Sequence, residues 1–169
     1  KPNKSIYTVV FRCGGVDLID LRYHQLLPYL KPQELANQAF RVVGADFVNT
    51  TDGSGVVHLA PTFGADDFMV AKKEGIPPML ILDKKNNLVP IVDLSGKFVD
   101  GLGEFSGRCV KSDFGEDEGS VDVDIVVKLK KSGLAFKSEK YEHSYPHCWR
   151  TDKPILYYPL DSWFIKSTD

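Results

Sequence analysis

Glycine and proline punctuate this chain so often that no element can run long. Gly14-Gly15 closes a β-branched run, Pro28 and Pro32 stop a leucine-rich stretch, and Gly44 interrupts the next apolar segment. Thr51-Asp52-Gly53-Ser54-Gly55 forms a turn, Pro61 ends the strand after it, and Gly75 and Gly133 each stand beyond a helical pattern. Proline lacks the amide hydrogen that a sheet ladder needs, and glycine takes the backbone conformations that end helices and reverse chains. What remains between the breaks is a set of short elements.

Residues 6–11, 56–59, 79–82, 88–92 and 155–158 read as strands, being rich in β-branched, aromatic or leucine side chains. Residues 40–48 are strand material broken at Gly44, residues 134–143 are extended, and residues 18–30 are a loop or short helix. Asp83-Lys84-Lys85-Asn86-Asn87 joins two of the strands as a hairpin. The clearest helix covers residues 66–74, with Asp66 and Asp67 in its first turn, Lys72 and Lys73 near its end, and Gly75 as its stop. A second covers residues 121–131, where Ile125, Val126 and Leu129 share one face. The predicted class is α+β and strand-dominated, with a barrel-like sheet and a few surrounding helices.

At 169 residues, with 43% hydrophobic side chains, the chain is expected to build one domain around a core. No apolar run approaches the roughly 20 residues of a membrane span, and the start, Lys1-Pro2-Asn3-Lys4-Ser5, has no secretory h-region. Cys13, Cys109 and Cys148 are odd in number and form no CxxC pair, which suits reduced thiols in the cytoplasm. The net charge of −2 means that RNA would be gripped only through a local patch or with help from other parts of a larger protein. No GxGxxG or Walker sequence occurs, which argues against a nucleotide-binding core.

Two segments are dense in chemistry. In the first, a strand carries His58 to its end, Ala60-Pro61-Thr62-Phe63-Gly64 turns the chain, and a helix opens at Ala65-Asp66-Asp67. Acidic residues there cap a helix and offset its dipole, and they can equally hold a cation beside a histidine at a cleft. The second is His143-Ser144-Tyr145-Pro146-His147-Cys148-Trp149-Arg150. His143, His147 and Cys148 are ligand types for zinc, but His147 and Cys148 are adjacent and a fourth ligand is missing, so a packed aromatic loop with no metal is expected. Ser54 lacks the outer glycines of a GxSxG elbow, and no cysteine has an activating context. A hydrolase built on this chain would position water without a covalent intermediate.

Gly53-Ser54-Gly55-Val56-Val57-His58-Leu59-Ala60-Pro61, followed by Phe63-Gly64-Ala65-Asp66-Asp67, closely resembles a signature of the inserted editing domain of isoleucyl-tRNA synthetases. The run from His143 to Pro154, with Ser162-Trp163-Phe164-Ile165 after it, is similar to the segment by which that chain returns to its catalytic core. The resemblance divides the chain into an editing domain, residues 1–140, and a return segment, residues 141–169. It implies hydrolysis of valine from mischarged tRNA(Ile), because a pocket that must reject a substrate smaller by one methylene gains little discriminating energy, a limit for which this family is itself the standard example. By that resemblance Asp67 and His58 are the catalytic residues. Asp67 would bind the α-ammonium of the aminoacyl group, and His58 would border the side-chain pocket that Phe63 and Gly64 help to line. The expected partners are the 3′ end of tRNA(Ile) carrying valine and the rest of the synthetase chain, with no membrane and a monomeric state. No cofactor is implied for this domain, ATP and Mg belonging to the synthetic site of the full-length enzyme. A threonine-rich strand that lines the family's pocket lies ahead of the region covered here. The competing expectation is a non-catalytic RNA-binding or structural piece of the synthetase, inactive in isolation.

Overall fold

The computed structural model describes residues 8–51, 54–111, 121–140, 142–163, 165 and 167. They fall into two compact units, one made of Lys1–His24 with Phe40–His58, the other of Gln25–Ala39 with Leu59–Asp169.

In the first unit two segments run antiparallel. Asp20 N–H donates to the Val42 carbonyl, Val42 N–H to Leu21 and Tyr23 N–H to Phe40, at 2.9–3.0 Å. Tyr23 and Phe40 meet edge to face at 6.2 Å, and the Arg41 guanidinium reaches Asp20 at 2.9 Å. The pairing stays at a single bridge, Arg22 with Arg41, because Asp20 and Phe40 on either side take positive φ and leave the extended conformation. The strand expected over 40–48 is therefore not observed. Of the strand expected over 6–11, Ile6 and Tyr7 lie outside the described residues and 8–11 have no regular structure. Residues 56–58 are likewise irregular and exposed.

The second unit carries the regular elements. Helix α1 spans Ala65–Glu74; its acidic first turn and basic last turn both oppose the helix dipole, and Gly75 ends it in the left-handed region at φ 67°. Strands β1 (Leu80–Leu82) and β2 (Leu88–Pro90) pair antiparallel in the register Leu80–Pro90, Ile81–Val89 and Leu82–Leu88. The connecting turn is built on Asp83, whose Oδ1 accepts the N–H groups of Lys85 and Asn87, both at 2.8 Å. These bonds, that from the Asn87 N–H foremost, hold the Asp83 carboxyl below its usual range. A second aspartate turn follows, in which Asp93 accepts from Ser95 and Lys97. From there the chain meanders through the bridges Val92–Phe98 and Lys97–Cys109. Helix α2 (Val121–Lys131) turns Val121, Ile125, Val126 and Leu129 inward, as the apolar spacing predicts.

Both predicted helices and the hairpin are thus present, while a barrel-like, strand-dominated sheet is not observed among the described residues. Among the described residues the sheet is one two-stranded hairpin with four isolated bridges, and the fold is a small mixed α/β one. Prolines at 77, 78, 90 and 154 withhold ladder donors where the strands would have lengthened. Residues 155–158 alternate in exposure as a strand would, but among the described residues they form no ladder beyond the His147–Pro154 bridge before them. Residues 134–140, 142 and 143 carry no regular structure.

Among the described residues the buried apolar side chains are Ala39, Ala71, Val92, Phe105 and Val121, with Pro32, Pro77 and Pro154. Phe136, Trp149 and Trp163 stand almost wholly in solvent. Among the described residues no helix is long and apolar enough to cross a membrane.

Candidate functional site

The segment leading into α1 is a tight loop tied down on several sides. Phe63 N–H donates to the Ala60 carbonyl at 3.0 Å, closing a turn over Pro61 and Thr62. Thr62 Oγ1 accepts the Met79 N–H at 3.1 Å, which fastens the loop to the entry of β1. Asp67 is the third residue of α1, and its side chain folds back over the loop so that Oδ2 accepts the Ala60 N–H at 3.0 Å. A carboxylate at that position satisfies an amide that the helix cannot reach and lies where the helix dipole is positive.

Gly64 makes the fold-back possible. Its backbone is extended, at φ −144° and ψ 133°, so no left-handed strain calls for glycine. The reason is space: a Cβ there would stand 2.7 Å from Asp67 Oδ2 and 3.1 Å from Asp67 Cβ. Asp67 is half-buried, Asp66 beside it is exposed, and no cation pairs with Asp67 among the described residues. The Phe63 ring leans on Tyr158 at 6.1 Å. Phe63, Gly64 and Asp67 therefore belong to one constellation in the second unit, whereas His58 is an exposed residue of the first.

Sequence reasoning passed over Thr62 and Tyr158, which hold this loop from outside. The sequence marks Tyr158 only as the end of the strand-like run 155–158, and four apolar or aromatic residues in a row do not say which face turns inward.

The second dense segment folds as an aromatic loop. His143, Tyr145 and His147 are spaced two residues apart and meet edge to face in succession, at 6.1 and 6.2 Å. The Lys111 ammonium lies 4.8 Å above the Tyr145 ring. Cys148 N–H donates to the Lys153 carbonyl, and the Thr151 and Asp152 N–H groups return to the Cys148 carbonyl. The Thr151 hydroxyl and the nearby amides hold the Cys148 thiol below its usual range. Among the described residues no three His, Cys, Asp or Glu side chains converge as a metal site would require.

The isoleucine–tRNA ligases of Cytophaga hutchinsonii, Bacteroides fragilis and Thermoplasma acidophilum are 52%, 48% and 43% identical to this chain over 91%, 96% and 94% of its length. The chain belongs to the isoleucine–tRNA ligase family. The same alignments cover 15%, 16% and 14% of those ligases, so the chain spans about 15% of the length of the relatives it matches. No family model matches it. Membership of the isoleucine–tRNA ligases agrees with the family resemblance carried by the Gly53–Asp67 and His143–Pro154 motifs.

Proposed function

We propose that this segment is the editing module of its ligase and hydrolyses the ester linking valine to tRNA(Ile). The observation that carries the reading is the state of Asp67. Its carboxylate is half-buried, held by the Ala60 N–H, and has no cationic partner among the described residues. A carboxylate so held is a ready partner for the α-ammonium of an aminoacyl group, since a charge-assisted bond at a partly desolvated surface outweighs its neutral counterpart. In this reading Asp67 fixes the amino group, Phe63 and Gly64 line the aminoacyl pocket, and His58 borders the side-chain end and helps to exclude isoleucine. A placed water attacks the ester carbonyl and the developing oxyanion is stabilised, with the terminal ribose hydroxyl of the RNA assisting. The reaction needs no cofactor in this segment; ATP and Mg serve the synthetic site elsewhere in the ligase. Residues 1–140 form the editing part and 141–169 the return toward the catalytic core, within a barrel-like editing fold completed by the rest of a cytoplasmic, monomeric enzyme.

Two substitutions in the full-length ligase test the assignment. Asp67→Ala should abolish valyl-tRNA hydrolysis and leave isoleucine aminoacylation near normal, because the two sites are separate. Asp67→Asn keeps an acceptor for the Ala60 N–H and removes only the charge, so it should lose hydrolysis as well. If Asp67→Asn retains full hydrolysis, the carboxylate does not bind the ammonium and the reading fails.

A further inference from the structure

Tyr158 reaches the Ala60–Asp67 loop from far along the chain. Its ring meets Phe63 at 6.1 Å, tilted by 55°, and its hydroxyl donates to the Val92 carbonyl at 2.9 Å. Val92 is one of the buried core residues, so that hydrogen bond ties the ring to the core of the second unit. The phenol is half-buried, and desolvation, with Asp93 nearby, raises its pKa, so it stays a protonated donor at neutral pH. Leu156 is turned inward beside it, while Ile155 and Tyr157 on the opposite face are exposed.

The loop has few other supports. Met79 N–H holds it at Thr62, and Asp67 holds it at Ala60. Phe63 follows these two points in the chain, and its ring meets that of Tyr158. Removing Tyr158 frees Phe63 to change rotamer. The turn closed by the Phe63 N–H to Ala60 carbonyl bond then loosens, and with it the amide that Asp67 grips.

We infer that Tyr158 is a positioning residue for the Ala60–Asp67 loop, acting through the Phe63 ring, so that the order of the loop depends on the docking of residues 155–160 against Val92. The consequence for hydrolysis rests on the editing reading above; the consequence for loop order does not.

The full-length ligase carrying Tyr158→Ala, Tyr158→Phe, Phe63→Ala or the Phe63→Ala/Tyr158→Ala pair decides the matter. Amide hydrogen exchange is read on the peptide covering residues 60–64, with the β1–β2 hairpin as reference. Valyl-tRNA deacylation and isoleucine aminoacylation are followed in parallel. Tyr158→Ala should speed exchange in the loop at least tenfold while leaving the hairpin unchanged. It should lower kcat for deacylation more than it raises KM, with aminoacylation within twofold of the parent. Tyr158→Phe keeps the ring against Phe63 but loses the hydroxyl bond to Val92, so its loop exchange should lie between those of the parent and Tyr158→Ala. Phe63→Ala should leave little for the second substitution to remove, so the pair should be far from additive. Unchanged loop exchange in Tyr158→Ala overturns the inference, as do equal losses in loop and hairpin or additive effects in the pair. If the parent ligase shows no deacylation, the editing reading falls and hydrogen exchange alone still judges the role of Tyr158.

Discussion

The position of the Asp67 carboxylate depends on a residue with no side chain. Gly64 has an ordinary extended backbone, so alanine there costs no torsional strain, yet its Cβ would press on Asp67 Oδ2 and Cβ. The carboxylate is the part that can yield, by swinging away from the Ala60 N–H. Gly64→Ala should therefore leave thermal stability nearly unchanged while displacing Asp67 by about an ångström. Misplacements of that size cost catalysis roughly 10- to 100-fold where a water must be positioned. Deacylation of valyl-tRNA by the full-length variant checks this, and full activity would show that the Gly64–Asp67 packing is incidental. Asp66, exposed one residue earlier, offers the control: Asp66→Ala removes a similar charge from the helix start and should leave hydrolysis within a few-fold of the parent.

Between elements, the second unit is stitched by charge where it has little apolar core. Glu104, in the 3₁₀ turn Gly103–Phe105, accepts the Tyr29 hydroxyl and the Lys128 ammonium, both at 2.6 Å, and so ties three separate segments together. The same ammonium lies 5.4 Å from the Tyr29 ring centroid, and Arg108 reaches Asp124 of α2 at 2.8 Å. The bonds from Lys128 and then Tyr29 hold the Glu104 carboxyl down to about 2, from an ordinary 4.5, and the Lys128 ammonium is raised in return. Because Glu104 binds its proton less readily when folded than when unfolded, its contribution is complete above about pH 4.5 and is lost as pH falls toward 2. Glu104 is exposed and Tyr29 and Lys128 are only half-buried, so the gain is small and screened by salt. Thermal melts should show the chain above its Glu104→Gln variant at about pH 6, with the gap closing by about pH 2 and shrinking in molar salt. A gap that persists at the acid end would assign the difference to packing.

Across the whole molecule, apolar surface outruns apolar burial. Val10, Phe136, Trp149, Leu160, Trp163 and Ile165 stand largely in solvent, while the buried core among the described residues is small. The chain spans about 15% of the ligases it matches. The editing reading expects the remainder to supply further docking for both tRNA and residues 155–165. Hydrolysis of valyl-tRNA should then rise from the chain alone, through a version extended upstream to include the threonine-rich strand, to the full-length ligase, as followed by release of labelled valine. Equal rates for the first two would make that strand dispensable and would move the pocket away from Phe63, Gly64 and Asp67.

Several features were determined by local sequence alone. Both helices follow from the spacing of their apolar residues, their acidic starts and basic ends, and Gly75 and Gly133 beyond them. The hairpin follows from Asp83, whose carboxylate closes its own turn. Family membership follows from the Gly53–Asp67 and His143–Pro154 motifs. All of these depend on residues within a few positions of one another. Strand pairing does not: residues 40–48, 56–59 and 155–158 have strand composition, yet whether a partner lies alongside is a long-range matter that prolines and positive-φ residues decided against. The support of the Asp67 loop is of the same kind. The bond from Met79 to Thr62 spans 17 residues and that from Tyr158 to Val92 spans 66, and contacts so distant in sequence leave no periodic signal within any one element. Only the tertiary structure brings Tyr158 against Phe63 and the Ala60 N–H against the carboxylate of Asp67.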